Sequence, residues 1–586
     1  MSISIPIGST SRSAWKPCVA NRIPMLRRQL QSHLRGTLSR ALSEAIAEEF
    51  ARISAFRRGV PCPVPAPISA KFLKKARRTV CLRLPLCFQY PSCKRRTVMR
   101  LHVKLIATAA LAGFVAAACP TLAQDGTSTL GGQPPAGATS SVKDFDYQIK
   151  YQRAFEAVLW SLPLIQIRGF RRGAFEDLGV KDNDIVAYSG TATPKLEAIT
   201  ANSTTPYIAA YTDLRKGPVV LEIPPAGKDG SVYGQVVDAW QLTIADVGPS
   251  GLDKGKGGKL LFTPPGYTGK VPSGYVQVAS PNYQISLAFR SVPAPGKSAA
   301  DAYAYSKKLK MYYLSDAKKP PEQRFIDPLH ERYATLPYYD ERFFAELHDV
   351  IQVEPVNPQD KVMMGMLMSL GIEKGKPFAP DAKTTQAMRQ AAVDAWFYLQ
   401  QWFDNIPSDK LYWPDRHYAS LLMTDANRRF DFTYDGHIDL IARAAEYFWC
   451  TYMPKMLSDN PATQYLMAMA DKDGKLLEAG KLYKIDIPAQ MPVKHFWALT
   501  VYDRATMSFI YSDSGRTTLS SYDLERMTKN ADGSATIYVG PKAPQGQVNN
   551  WIPTAGKRPL PAMRFYGPTE ALNNKTFKIP DFELAE

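Results

Sequence analysis

After residue 119 the chain has a single cysteine, Cys450. The other six, Cys18, Cys62, Cys81, Cys87, Cys93 and Cys119, all come earlier. A lone thiol closes no internal disulfide, so the later part must hold together by burial, which several hundred residues can supply. The same part also lacks an excess of either charge. The whole chain carries 72 Lys+Arg and 54 Asp+Glu, a formal +18. Residues 1–98 hold 19 basic residues and three acids (Glu44, Glu48, Glu49), a balance of +16, and Arg100 and Lys104 supply the other +2. From Gln124 onward 51 basic residues face 51 acidic ones. A basic chain ordinarily points to nucleic acid or an anionic membrane, and for this part that inference is excluded.

Motifs for metal, nucleotide and nucleophile chemistry are also missing. Five histidines follow residue 124: His330, His348, His417, His437 and His495. They form no H-E-x-x-H or H-x-H, and no cysteine pair accompanies them. No metal and no cofactor is expected. Asp435-Gly436-His437-Ile438-Asp439 reads as a helix start, with His437 in the first turn. Asp471-Lys472-Asp473-Gly474 reads as a β-turn, since it lacks the third acid and the glutamate of a calcium loop. There is no G-x-S-x-G, and Cys450 lies among Tyr447, Phe448, Trp449 and Tyr452, where a small core thiol is expected. Gly255, Gly257 and Gly258 sit in a lysine-rich turn that reads as a solvated hairpin loop, with anion attraction as the alternative.

What the chain does have begins at Met99. A basic start (Arg100, Lys104) precedes an apolar run from Leu105 to Ala118 and a small-residue exit, Thr121-Leu122-Ala123. These are the parts of a secretory signal peptide, and the run is shorter than the roughly 20 residues of a spanning helix. The expected organisation is an upstream extension from a mis-assigned start over 1–98, a signal peptide over 99–123 and a flexible leader over 124–142. Cleavage after Ala123 sends the protein to the periplasm or outside the cell. Lipidation of Cys119 stays open, because Ala-Ala-Ala-Cys lacks the leucine of a good lipobox.

The remainder alternates in texture. Phe155, Val158, Leu159 and Leu162 recur with helical period, and Pro163 is expected to end or bend that helix. Residues 218–224, 232–244, 259–265, 275–280 and 283–290 read as strands. In the last, Ile285, Leu287 and Phe289 share one face, and Ser286, Ala288 and Arg290 the other. Residues 298–458 read as helices, including the stretch ADAYAYSKKLKMYYL. Strands return after 459, with KLYKIDIP, KHFWALTVYD, ATIYVGP and PAMRFYGP. The modules expected are 143–295 (helix plus β-sandwich), 296–458 (helical insert) and 459–586 (a second β module).

Several phrases resemble a known family, the bacterial proteins that pair two domains of unknown function, numbers 1254 and 1214. In the first module these are Asn202-Ser203-Thr204-Thr205-Pro206-Tyr207, Thr212-Asp213-Leu214 with Gly217-Pro218-Val219, and LLFTPPGYTGKVPSGY (260–275). LGIEKGKPFAPD (370–381) fits between the modules. In the second they are DKDGKLLEAGKLYKI (471–485), KHFWALTVYD (494–503), NADGSATIYVG (530–540), NNWIP (549–553) and MRFYGP (563–568). The family usually has Asp-Thr where this chain has Thr204-Thr205. The resemblance implies a mixed, mainly β fold: an immunoglobulin-like β-sandwich, a helical insert and a C-terminal jelly-roll β-sandwich.

Polar and aromatic residues on these motifs are the candidate ligand contacts: Asn202, Thr205, Tyr207 and Arg290 in the first module, and Trp497, Asp503, Arg516, Asn550, Trp551 and Arg564 in the second. An arginine on a strand face near tyrosine and asparagine suits a carboxylate or phosphate. Arg564 is expected to point away from Met563 and Phe565 and to pair with Asp503, with Arg516, Asn550 or Tyr566 nearby. No catalytic residue can be assigned. The leading expectation is a soluble binding protein or non-metal hydrolase for a small polar, sugar-like or anionic ligand in a cleft between modules. The alternative is a non-catalytic envelope or assembly protein whose sandwich surfaces make protein contacts. The partners that fit are a small polar ligand and further copies of the chain in a homo-oligomer; nucleic acid and stable membrane insertion after signal cleavage do not fit.

Overall fold

A helix of 33 residues, Phe145–Asp177, carries the middle of the structure, a computed structural model. The structure describes residues 137–585 without a break, together with 132, 134 and 135. The expectations for 1–98, for 99–123 and for Cys119 lie outside the described residues. Among the described residues no helix is long and apolar enough to cross a membrane.

The long helix starts at Asp144, whose side chain accepts from the Tyr147 amide at 3.0 Å. Pro163 does not end it, and the helix runs a further 14 residues to Asp177. Residues Ala157 to Ile167 are all buried, so tertiary packing on every side outweighs the one hydrogen bond the proline removes. Further along, Gly169 and Gly173 let another backbone pass close by. A Cβ on either would lie 2.2 Å from the carbonyl oxygen of Thr335 or Ala334.

The fold is mixed and mostly β, with several sheets, seven helices among the described residues and no closed barrel. Two sheets precede the helical region. One has six strands in the order Phe325–Ile326, Ile185–Ala187, Tyr207–Asp213, Gln284–Val292, Ser231–Val237, Thr243–Val247. The other has four: Lys310–Tyr313, Val219–Ile223, Gly258–Thr263, Tyr275–Ala279. Ile285, Leu287 and Phe289 meet Val219, Leu221 and Phe262 in a shared core, as the alternation predicts. Two further sheets make the C-terminal module. Five strands run Tyr418–Ser420, Thr463–Ala468, Pro559–Pro568, Val493–Asp503, Thr518–Ser520. Four run Trp551–Pro553, Ala535–Gly540, Tyr483–Ile487, Glu583–Leu584. Leu466, Leu499, Met563 and Phe565 pack there against Ile485, Ile537 and Val539.

A third core lies between these modules. It is built on the long helix with Arg342–Val353, Ala382–Asp404 and Leu440–Trp449. It reaches Tyr211 in the first module and Met467, Tyr502 and Ala562 in the second. The stretch 296–458 is therefore not purely helical. Ala299–Ser306 forms a helix, but Lys310–Tyr313 pairs with Val219–Ile223 as an edge strand, because Leu309 and Met311 are drawn into the neighbouring core. Tyr418–Ser420 likewise edges the C-terminal sheet. Asp439, not Asp435, caps the helix Leu440–Trp449 by accepting from the Ala442 amide, and His437 precedes it, stacked on Tyr434.

Candidate functional site

Two sheet faces turn toward each other between the modules, and each carries an arginine set among tyrosines. On the first, Tyr207, Arg290 and Tyr233 stand directly opposite one another on three adjacent strands. On the second, Tyr465 and Ala498 flank Arg564 in the same way. Two residues along the strand, on the same face, Tyr566 lies between Thr463 and Phe496. Side chains two apart on a strand share a face, so register alone sets out both rows.

The motif Asn202–Tyr207 crosses from one face to the other. Asn202 is fully buried, and its Nδ2 donates to the Tyr566 hydroxyl at 3.0 Å. Its backbone amide donates to the Tyr207 hydroxyl at 2.7 Å, and its Oδ1 accepts from the Thr204 amide at 2.7 Å. The Thr204 hydroxyl lies 2.9 Å from that of Tyr566, and Ser203 and Thr518 share a hydrogen bond of 2.7 Å. Thr205 Oγ1 is buried with no protein partner.

Arg564 is 1% exposed. Its Nη2 donates to the carbonyls of Thr200 (2.8 Å) and Ala201 (3.2 Å) and to the Tyr502 hydroxyl. Its guanidinium carbon lies 4.5 Å from the Tyr465 ring centroid. Nε has no hydrogen-bond partner. Arg290 is only partly buried, and its guanidinium lies 5.5 Å from the Tyr207 ring centroid. Its Nη1 is buried without a partner. The groups that act most strongly on both arginines are phenols, and no carboxylate is among them. The result is a boundary between the modules with two fixed positive charges set among hydroxyls.

That field acts on Tyr465. Burial raises the pKa of its phenol, but Arg290 and then Arg564 lower it further, and the net effect is below the ordinary 10.0. Tyr566 and Tyr502 go the other way, because burial is the larger effect there. A cationic region with one acidified phenol can hold an anion and can accept or return a proton.

Half of the candidates read from the sequence converge here: Asn202, Thr205, Tyr207, Arg290 and Arg564. The other five do not. Trp497 lies on the opposite face of its strand, in the C-terminal core. Asp503 caps a turn by accepting from the Ala505 amide at 3.0 Å, and does not pair with Arg564. The expected pairing fails because Asp503 ends its strand opposite Pro559, five residues along from Arg564. Arg516 donates to the Val548 and Trp551 carbonyls. Asn550 holds the Thr528 amide and the Thr528 and Thr536 carbonyls, and Trp551 Nε1 donates to Gly540. These contacts tie loops to strands and leave little free for a ligand. The sequence reading missed Tyr233, Tyr465 and Tyr502. Tyr465 lies on Thr463–Ala468, a strand not anticipated from the sequence, although Tyr465 and Met467 alternate with the buried Leu466 and Ala468.

Elsewhere, Cys450 is buried at the end of its helix, and burial raises its thiol pKa. Among the described residues no group of three or more His, Cys, Asp and Glu could hold a metal ion. Asp471 shapes its turn by accepting from the amides of Asp473 and Lys475.

Comparison with known proteins gives two family matches. Residues 183–313 match the model described as protein of unknown function DUF1254, and residues 462–570 match protein of unknown function DUF1214. The N- to C-terminal order is the one the motifs imply. No curated protein matches the chain. Among solved structures, the VPA0106 protein of Vibrio parahaemolyticus aligns at 17% identity and a TM-score of 0.44, over 75% of this chain and 100% of its own. A putative uncharacterized protein from Burkholderia cenocepacia aligns at 13% identity and a TM-score of 0.33, over 75% of this chain and 96% of its own.

Proposed function

We propose that this chain, with its DUF1254 and DUF1214 regions in series, binds a small anionic ligand between its two β modules. The observation that carries the reading is Arg290, whose buried Nη1 has no partner and which has no carboxylate among the groups acting on it, while the enclosed Arg564 acts with it on the same phenol, Tyr465. Structural arginines in proteins are ordinarily matched by acids, as Arg172 is by Glu346 in this one. A carboxylate or a similar oxyanion complements such an arginine and satisfies its free donor.

The fold reading that accompanies this function is an immunoglobulin-like sandwich within 143–295, a helical insert over 296–458 and a jelly roll over 459–586. Its support is the pairing of sheets around a separate core in each module. Export to the periplasm or beyond completes the proposal. It rests on the signal features of 99–123 and the step in charge at that boundary.

The test is calorimetric titration of the full chain with acetate and with inorganic phosphate, beside Arg290→Met. Binding of at least one anion, weakened about tenfold or more in the variant, is expected. Absence of binding by either anion, or a variant that binds as the parent does, overturns the proposal.

A further inference from the structure

A separate set of unused donors lies beneath the long helix. Leu164, Arg168 and Arg171 are spaced four and three residues apart on Phe145–Asp177, so they share one side of it. That side covers the strand Gln284–Val292 where Ser286 stands directly opposite Tyr211. Between helix and strand is a cavity of about 20 Å³, lined by these five residues and also by Asp238 and Val350. It has room for about one or two particles the size of water.

The wall of the cavity carries donors that the protein leaves free. Ser286 is 4% exposed, and its Oγ has no partner among the described residues. Arg171 gives Nη2 to Asp182 at 2.6 Å, and Arg168 gives Nη2 to Asp349 at 3.4 Å. Arg171 Nη1 and Arg168 Nε are buried and have no partner among the described residues. The Tyr452 hydroxyl, beside Tyr211 and Ser286, is in the same state. Asp182 also takes Lys216 at 2.7 Å, so one acid answers two cations there. The acid in the wall is Asp238. Its Oδ1 takes the Trp240 and Leu242 amides, and burial raises its pKa to about 7, so in mildly acidic solution it is a neutral carboxyl. Buried polar groups without partners cost free energy unless a bound particle satisfies them.

We propose that this cavity holds one halide ion, chloride under ordinary conditions. Guanidinium and hydroxyl donors converge on it from a helix and a strand and make charge-assisted hydrogen bonds to a spherical anion. Carboxylates and phosphate bring several heavy atoms and do not fit the volume. The site therefore differs in ligand from the boundary around Arg290, four residues further along the same strand face.

The experiment is thermal melting of the full chain near pH 6 over a series of sodium bromide concentrations, with sodium methanesulfonate holding the ionic strength constant. Anomalous diffraction from crystals grown in bromide locates the ion. Both are repeated on Arg290→Met, Ser286→Ala and Arg171→Lys. In the parent and in Arg290→Met the melting temperature is expected to rise with bromide, with an anomalous peak between Arg171 and Ser286. Apparent affinity is expected to fall about tenfold in Ser286→Ala, and at least as far in Arg171→Lys, which keeps the charge and loses the second nitrogen. Ser286→Ala removes a hydroxyl that has no partner, so in halide-free buffer it is expected to melt no lower than the parent. A lost bromide response in that variant is then loss of the site and not of the fold. A melting temperature that ignores bromide, with water alone in the cavity, overturns the proposal. So does a response that survives in both Ser286→Ala and Arg171→Lys, or one that disappears in Arg290→Met, which assigns the ion to the boundary between the modules.

Discussion

The two faces that meet between the modules use the same residue types for different ends. In the C-terminal module Arg564 is sealed from solvent, and one nitrogen is committed to two carbonyls of the Thr200–Ala201 segment and to Tyr502. It fastens one module to a loop of the other. In the N-terminal module Arg290 keeps partial exposure and has no acid beside it. A buried cation whose hydrogen bonds are met by carbonyls is held in place by the fold; a half-buried one with free donors is available to a ligand. Residue type and strand position are alike in the two cases, so what separates structure from function is which donors the surrounding backbone has already used.

The sharpest way to break this contrast is to remove each charge in turn. Arg564→Met leaves the Thr200 carbonyl without its donor in a dry interior, and a loss of roughly 2–4 kcal/mol is expected. It is read as a lower denaturant midpoint. Arg290→Met should cost less, because its guanidinium holds no backbone carbonyl and its contacts are with the Tyr207 and Tyr233 side chains. If the two variants lose equal stability, the contrast is wrong.

A second contrast sets that buried cation against a buried acid in the N-terminal module. Asp238 accepts from the Trp240 and Leu242 amides, at 2.8 and 2.9 Å, and burial raises its pKa to about 7. The folded state therefore keeps a proton that the unfolded chain releases near the ordinary 3.8. The stability that Asp238 contributes is intact below that value and declines as pH rises toward about 7. Asp238→Asn keeps the acceptor and removes the titration. Its melting temperature relative to the parent should rise between pH 4 and pH 7 and then level off; a constant difference would show that Asp238 does not titrate in this window.

The smallest effect expected concerns Tyr465, which feels both arginines. Its phenol should ionise below the ordinary 10.0, and each proton lost cancels one unit of the positive field. Anion affinity should therefore weaken at a lower pH than free tyrosine titrates, together with the ultraviolet absorbance of one phenolate. Tyr465→Phe should abolish that absorbance step and carry anion binding to higher pH. A titration unchanged in Arg290→Met would show that Tyr465 does not sense the first module.

Most of the strand Gln284–Val292 was legible, read as 283–290, because alternation fixes the two faces, and this placed Arg290 away from the core, although Ser286 is buried as well. The long helix was legible by its period, while its passage through Pro163 was not, since burial on all sides is a tertiary fact. At Pro559–Pro568 alternation loses its meaning: Met563, Arg564 and Phe565 are all buried, so both faces are covered and polarity no longer marks the outside. That is why Arg564 was found and its partner was not. Thr463–Ala468 is short and starts beside polar Thr463 and Gln464, so its tyrosine went unmarked.

By itself the sequence determined the alternation of β, α and β texture, the absence of a net charge after Gln124, and the motif Asn202–Tyr207 with two arginines far from it in the chain. The tertiary structure decided which of those residues meet. Asn202 and Tyr566 are 364 positions apart and share a hydrogen bond, because a third core under the long helix brings two sheets face to face. Local periodicity fixes the face on which a side chain lies. Only the packing of distant elements fixes what that face looks toward, and this is why one arginine became a fastening and the other a free charge.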